Sequence, residues 1–142
     1  MKLVLDADVL IGALDGSDPH HAQARALFVG WQERDDTRLI SVVNLSEVLI
    51  APAADRQQLR AAREAIAALG VAIHQPGEAI GVEAARLRSA HPISLPDAYC
   101  LATAHYADAS VVSFDQKVLR AAELEGIALF ETAPRRRGQA RP

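Results

Sequence analysis

Cysteine is almost missing from this chain. Cys100 is the only one, so no disulfide can close within the chain and no Cys-rich zinc site can form. That economy suits a reducing cytosol. Aromatic residues are scarce at 4%, while half of the residues are apolar. The core must therefore be built from Leu, Val, Ile and Ala. No apolar run approaches the length of a membrane span. Met1-Lys2 leads directly into a strand-like Leu3-Val4-Leu5, a pattern with no secretory leader. Together these absences predict a cytoplasmic protein with no membrane partner. Phosphate-cradling and nucleophile-elbow signatures are missing too: there is no P-loop, no G-x-G-x-x-G and no G-x-S-x-G. The histidines at 20, 21, 74, 91 and 105 are scattered, and none has the i, i+4 spacing of a zinc helix. His20-His21 reads as a solvated first helical turn. Cys100, beside Leu101 in a helical stretch, reads as a small buried hydrophobe rather than a nucleophile.

Basic charge is outweighed by acid in the body of the chain. The net charge is −3, but the tail PRRRGQARP carries Arg135, Arg136, Arg137 and Arg141 and no acid. Setting those four aside takes the remainder to −7. An acidic body argues against non-specific coating of duplex nucleic acid, which needs a basic face. It fits a carboxylate cluster that awaits a cation. At 142 residues the chain is one domain by length, taken as 1–131. The Arg-rich residues 132–142 form a tail, expected to be disordered, which serves either for solubility or for contact with RNA or a partner.

What is present is alternation. Residues 2–5 read as a buried strand ending at Asp6. Ser17-Asp18-Pro19 signals a helix start, followed by the stripe Ala24, Leu27, Phe28, Trp31. That stripe makes Trp31 a core residue. Leu39-Ile40 is a short strand, and Ser41 caps a helix through Ile50 that Pro52 bounds. Leu59, Ala62, Ile66 and Leu69 mark a helix closed by Gly70. VAIHQ (71–75) is a strand, 78–90 a helix, and Pro96 opens a helix to about Ala107. SVVS (110–113) is a strand, Asp115 caps a helix to Glu125, and IALF (127–130) is the last strand. Strands apolar on both faces, alternating with helices, indicate a parallel sheet covered on both sides. The expected fold is an α/β three-layer sandwich around a central parallel sheet of four or five strands.

In such folds ligands bind at the carboxyl ends of the strands. Asp6 follows the first strand, and Asp115 comes two residues after SVVS. Asp97 lies in the first turn of its helix. Glu47 is on the helix after the second strand, with Asn44 at i−3 on the same face. Each acid has an ordinary explanation as a helix cap, a turn residue or a solvated side chain. Those explanations do not account for the joint pattern, in which every acid sits at the same end of its element. Four clustered carboxylates repel one another unless their pKa values rise or a cation joins them. Hard oxygen ligands without Cys or paired His suit Mg²⁺ or Mn²⁺.

Four blocks carry a family resemblance: VLDADVLI (4–11), SVVNLSEVL (41–49), ISLPDAYCLATA (93–104) and VVSFDQKVL (111–119). In order and spacing they resemble a PIN-domain ribonuclease, most of all the VapC-type toxins of bacterial VapBC toxin–antitoxin pairs. The resemblance spans Met1 to about Glu131. It implies that Asp6, Glu47, Asp97 and Asp115 are the catalytic, metal-holding acids. It also implies that Ser113 holds either a metal-bound water or a nearby acid. The expected activity is Mg²⁺- or Mn²⁺-dependent RNA cleavage by a homodimer, silenced by a VapB-like antitoxin that lays a segment across the acidic site. The family often has Asn where this chain has Asp8. Asp8 is therefore read as an extra outer acid or a turn residue bonding the backbone, and not as a metal ligand.

Two other classes compete. LVLDADVLI also fits the D-x-D motif of haloacid-dehalogenase-like phosphatases, with Asp6 as nucleophile. That chemistry needs a Lys ahead of the last acidic motif. The only lysines are Lys2, before the first strand, and Lys117, after Asp115. It also leaves Glu47 and Asp97 without a task. A non-catalytic, partner-binding α/β module of the receiver type needs an acceptor Asp after the middle strand, and here Pro76-Gly77 follow.

Overall fold

The structure is a computed structural model that describes residues 1–132. The Arg-rich tail beyond Thr132 lies outside the described residues. Four strands form one parallel sheet: β1 (Lys2–Leu5), β2 (Thr37–Ser41), β3 (Val71–His74) and β4 (Ser110–Val112). Their order is β3-β2-β1-β4. Among the described residues seven α-helices accompany them, six between strands and one after β4: α1 (Ala7–Leu14), α2 (His21–Arg34), α3 (Val42–Leu49), α4 (Arg56–Ala68), α5 (Glu78–Ala90), α6 (Leu95–Ala107) and α7 (Gln116–Leu124).

Alternation along β1 sorts the core into two layers, because successive side chains point to opposite faces. Val4 packs with Val111 against Ile80, Leu87, Leu101 and Val118 of α5, α6 and α7. Leu3 and Leu5 pack with Ile40 and Val112 against Val9, Leu10, Phe28, Trp31 and Ile66 of α1, α2 and α4. All three side chains after Lys2 are fully buried, which is why this strand reads as an unbroken apolar run. The sandwich thus has helices on both faces, as the alternation predicts. Trp31 is fully buried and meets Phe28 and Phe130 edge-on, at ring-centroid distances of 4.9 and 5.6 Å. Cys100 is also fully buried, and burial pushes its thiol pKa up.

Two elements differ from expectation. The fifth strand, IALF, shrinks to a single parallel bridge between Leu129 and Val111. Its backbone still bonds β4: the Val111 N–H donates to Ala128 O and the Phe130 N–H to Val111 O, both at 2.9 Å. With only three residues, β4 offers too little edge for a longer ladder. The second difference is α1, which starts at Ala7, immediately after the strand. The loudest helix-start signal, Ser17-Asp18-Pro19, belongs to the turn before α2. At the far end of α4, Gly70 adopts φ +71°, the left-handed conformation that closes a helix at little steric cost for glycine.

The sheet order sets the position of the site. The chain builds outward from β1 to β2 and β3, then returns to place β4 on the other side of β1. The gap beyond the carboxyl ends of β1 and β4 is therefore the topological switch point, where open α/β sheets bind ligands.

Candidate active site

Asp6 is the first residue past β1. Its backbone N–H donates to Val112 O at 2.9 Å, so the ladder to β4 runs up to it. Its side chain is 4% exposed. Oδ1 caps α1 by accepting from the Ala7 N–H at 2.8 Å, and Oδ2 accepts from the Ser113 hydroxyl at 2.7 Å. Ser113 is fully buried and is the hub of this half of the site. While its hydroxyl donates to Asp6, its oxygen accepts the Asp115 N–H at 3.0 Å. One residue thus locks the acid after β1 to the acid after β4.

Asp115 caps α7, with Oδ1 accepting from the Lys117 N–H at 2.9 Å. Asp8 is in the first turn of α1, and its side chain reaches across to the β4–α7 connection. Oδ2 accepts the Phe114 N–H at 3.0 Å and lies 3.4 Å from the Ser113 hydroxyl. Asp8 does bond backbone, then, but that of a neighbouring loop rather than of its own turn.

The other half of the site is carried by α3 and α6. Asp97 sits at the N3 position of α6 and forms a capping box with Ser94. Its Oδ2 accepts the Ser94 N–H at 3.1 Å, and its own N–H donates to Ser94 Oγ at 3.2 Å. This pairing satisfies two otherwise orphaned helix donors at once. Glu47 is held by Asn44, whose amide donates to Glu47 Oε1 at 3.3 Å and to Pro96 O at 3.0 Å. Asn44 is fully buried and so ties α3 to the start of α6.

Four of the acids share a pattern: each is fixed through one carboxylate oxygen and keeps another with no hydrogen-bond partner among the described residues, namely Asp8 Oδ1, Asp97 Oδ1, Asp115 Oδ2 and Glu47 Oε2. Asp6 differs, with both oxygens accepting a hydrogen bond. Asp8 Oδ1 and Asn44 Oδ1 are also buried. A buried acceptor without a donor is unfavourable by roughly 1–3 kcal/mol, and either atom could be satisfied by water or by a hydrated cation.

The charges respond to their confinement. Burial, and then repulsion by Asp8, push the Asp6 pKa up to about 7, with Asp97 adding to the effect and the Ser113 hydrogen bond opposing it. Burial raises Asp8 to about 6, the Phe114 N–H opposes this, and Asp115 adds repulsion. Glu47 is raised by burial, with Asp97 contributing. Asp97 thus acts on both Asp6 and Glu47, while Asp115 acts on Asp8.

They do not form a closed cage: among the described residues, no three His, Cys, Asp or Glu side chains could hold a metal ion as placed. The donor set, hard oxygens with two orphaned acceptors, still fits a small divalent cation. Mg²⁺ in particular is held by one or two carboxylates and keeps several waters.

Two contributors escaped the sequence reading. The tie from Asp8 to Phe114 is one. The other is His20, whose imidazole stacks flat on the Phe114 ring at 4.4 Å and 9°. No periodicity or capping signal joins residue 20 to residue 114; only the tertiary fold does.

Fold and site together define a small α/β protein with an acidic centre at the switch point of its sheet. The chain belongs to the PIN-domain family, whose model matches residues 3–124. PIN domains are nucleases. No curated protein is significantly similar to it in sequence. Among solved structures it resembles VapC20 of Mycobacterium tuberculosis, a sarcin–ricin loop cleaving toxin. The identity there is 16%, the coverage 84% of this chain and 94% of that one, and the TM-score 0.69. It also resembles VapBC2 of Rickettsia felis bound to a promoter DNA fragment, at 13% identity, 92% and 98% coverage and TM-score 0.72. A toxin–antitoxin complex of Klebsiella pneumoniae matches at 23% identity, 82% and 89% coverage and TM-score 0.66. At these identities the likeness establishes the shared fold. No helix among the described residues is long and apolar enough to cross a membrane.

Proposed function

We propose that this PIN domain is a Mg²⁺- or Mn²⁺-dependent endoribonuclease and the toxin of a type II toxin–antitoxin pair, working in the cytoplasm as a homodimer. The observation that carries the reading is the buried Asp6 at the β1–β4 switch point, joined by Asp97, Asp115 and Glu47, each held by one carboxylate oxygen with the other left without a partner. Asp6, Asp97 and Asp115 would hold the ion, and Glu47 would help to hold it or the attacking water. When bound, such an ion neutralises phosphodiester charge and acidifies water.

The remaining chemistry belongs to the chain. Ser113 holds Asp6 and Asp115 in register. Asn44 turns Glu47 so that its free oxygen can orient the attacking water. Asp8 braces the β4–α7 connection through the Phe114 N–H and stays outside the ion's ligands. Water rather than the 2′-hydroxyl attacks the phosphorus, which leaves 5′-phosphate and 3′-hydroxyl ends.

The phosphatase alternative finds little support. Lys2 Nζ donates to Ala107 O at 3.2 Å, at the amino edge of the sheet, far from any phosphate seated on Asp6. The acidic site also suits a partner that silences it with an Arg, whose guanidinium pairs bidentately with carboxylates. The test is a pulse of expression followed by end-mapping of cellular RNA, with and without the product of the adjacent gene. New 5′-phosphate ends that disappear on co-expression are expected. RNA ends unchanged by the pulse would count against the reading.

A further inference from the structure

The acidic centre has an aromatic wall. Phe114 lies between Ser113 and Asp115 in the chain, and its N–H is pinned by Asp8 Oδ2 at 3.0 Å. Its ring is only partly buried, unlike Phe28 and Trp31 in the core. On it lies the His20 imidazole, parallel within 9°.

His20 is held in place from its own side of the molecule as well. Its N–H donates to Asp18 Oδ1 at 2.8 Å, and its Nδ1 lies 3.6 Å from the same oxygen. The next residue, His21, donates from Nδ1 to Gly12 O at 2.8 Å, which fixes the start of α2 against α1. The imidazole is near enough to the Asp8 carboxylate to pull its pKa down. One face of the ring is covered by Phe114, yet 47% of the side chain is exposed. In a chain with few aromatics, a stacked pair set beside the acids instead of in the core needs a reason.

We propose that the free face of His20 is a stacking platform for a nucleobase of the RNA substrate, next to the scissile phosphate. The inference rests on the ribonuclease reading and deepens it by naming a specificity residue. Single-stranded RNA is recognised largely by bases splayed onto aromatic or imidazole faces. Phe114 supplies a backing that keeps the imidazole from yielding, so a docked base would extend a stack already two rings deep. An ion held by the acids would receive the scissile phosphate, and the remaining carboxylate charge repels a second one. A neutral base face is therefore the part of the substrate best placed to gain affinity here.

The probe is a short single-stranded RNA carrying the cleavage site mapped for the parent, assayed with Mn²⁺. Two derivatives carry an abasic ribonucleotide on one or the other side of the scissile phosphate. His20→Ala should lower kcat/KM on intact RNA by about tenfold or more, mostly through KM, the usual scale for losing one stacked base. His20→Phe should keep most of the activity, since it retains the stacking face and loses the ring nitrogens. On one of the two abasic RNAs the parent should fall to the level of His20→Ala, and the substitution should cause no further loss. Equal melting temperatures exclude a folding defect. A His20→Ala enzyme as active as the parent would overturn the inference. So would a His20→Phe enzyme as slow as His20→Ala, or a penalty that persists on both abasic RNAs. A parent that cleaves no RNA overturns the ribonuclease reading and this inference with it.

Discussion

The two halves of the acidic centre are built differently. At the β1–β4 side, Asp6 and Ser113 are buried and wired through a hydroxyl that serves two acids. At the α3–α6 side, Glu47 and Asp97 are more open and held by a capping box and an amide. Strand ends are fixed by the ladder, so Asp6 and the neighbouring Asp8 are forced together, and burial raises both pKa values. On the other side Asp97 is fixed by its helix cap, and Glu47, in the last turn of α3, by the Asn44 amide, with burial and Asp97 raising its pKa. The first half should couple activity to stability, while the second should affect activity with little change in stability.

The sharpest contrast comes from Asp6→Asn and Asp97→Asn. Asp6→Asn removes a proposed ion ligand and should reduce RNA cleavage at least about a hundredfold, in keeping with the several kcal/mol that a bound ion supplies to such chemistry. It should not lower the melting temperature of the metal-free protein, because like-charge repulsion falls. Asp97→Asn should also cripple cleavage. Its amide oxygen can still accept the Ser94 N–H, so the melting temperature should change little. Thermal melting alongside single-turnover cleavage checks both. A large loss of stability in Asp97→Asn with intact cleavage would dissolve the distinction between the halves.

Ser113→Ala tests the wiring. It strips a hydroxyl from Asp6 and an acceptor from the Asp115 N–H, both in a buried setting. A loss of about 10–100-fold in activity, the scale for residues that orient metal ligands, is expected. Destabilisation of roughly 1–3 kcal/mol should accompany it. Denaturant melts and initial rates read the two effects separately.

A pH series on the metal-free protein exposes the crowding directly. Asp6 titrates near 7 and Asp8 near 6 when folded, against 3.8 for an ordinary Asp. Between pH 4 and pH 7 the unfolded chain has therefore shed protons that the folded chain still holds. Stability should fall as pH rises through that window. In EDTA the parent should melt higher at pH 5 than at pH 8, and Asp6→Asn should flatten the difference. The smallest effect is expected from Asp8→Asn. The amide oxygen keeps the Phe114 N–H, so cleavage should stay within about tenfold of the parent, a barrier change of roughly 1.4 kcal/mol. An Asp8→Asn enzyme as inactive as Asp6→Asn would move Asp8 into the ion's ligand set.

Much of this was legible in the sequence, for identifiable reasons. The apolar Leu3-Val4-Leu5 and the alternation of strands with capped helices predict a covered parallel sheet, and the sheet is there. The ordinary explanations of the acids were also right locally: Asp6, Asp115 and Asp97 all bond the starts of helices. In Asp97 and Asp115 capping occupies one oxygen and leaves the other free, so the capping reading does not exclude the metal reading. The fifth strand was overread because hydrophobicity at 127–130 reports burial, and burial here needs only one bridge. The stacking of His20 on Phe114 was invisible because 94 positions separate the two rings in the chain.

The central claim is that these acids act through a divalent ion on RNA, and one assay bears on it most directly. Parent and Asp6→Asn are stripped with EDTA, incubated with RNA, then supplied with Mg²⁺ or Mn²⁺, and the product ends are identified. The account predicts no cleavage in EDTA. It predicts recovery in the parent alone on adding the ion, with 5′-phosphate and 3′-hydroxyl ends. Cleavage that persists in EDTA and in Asp6→Asn, or that leaves 2′,3′-cyclic phosphates, would contradict it.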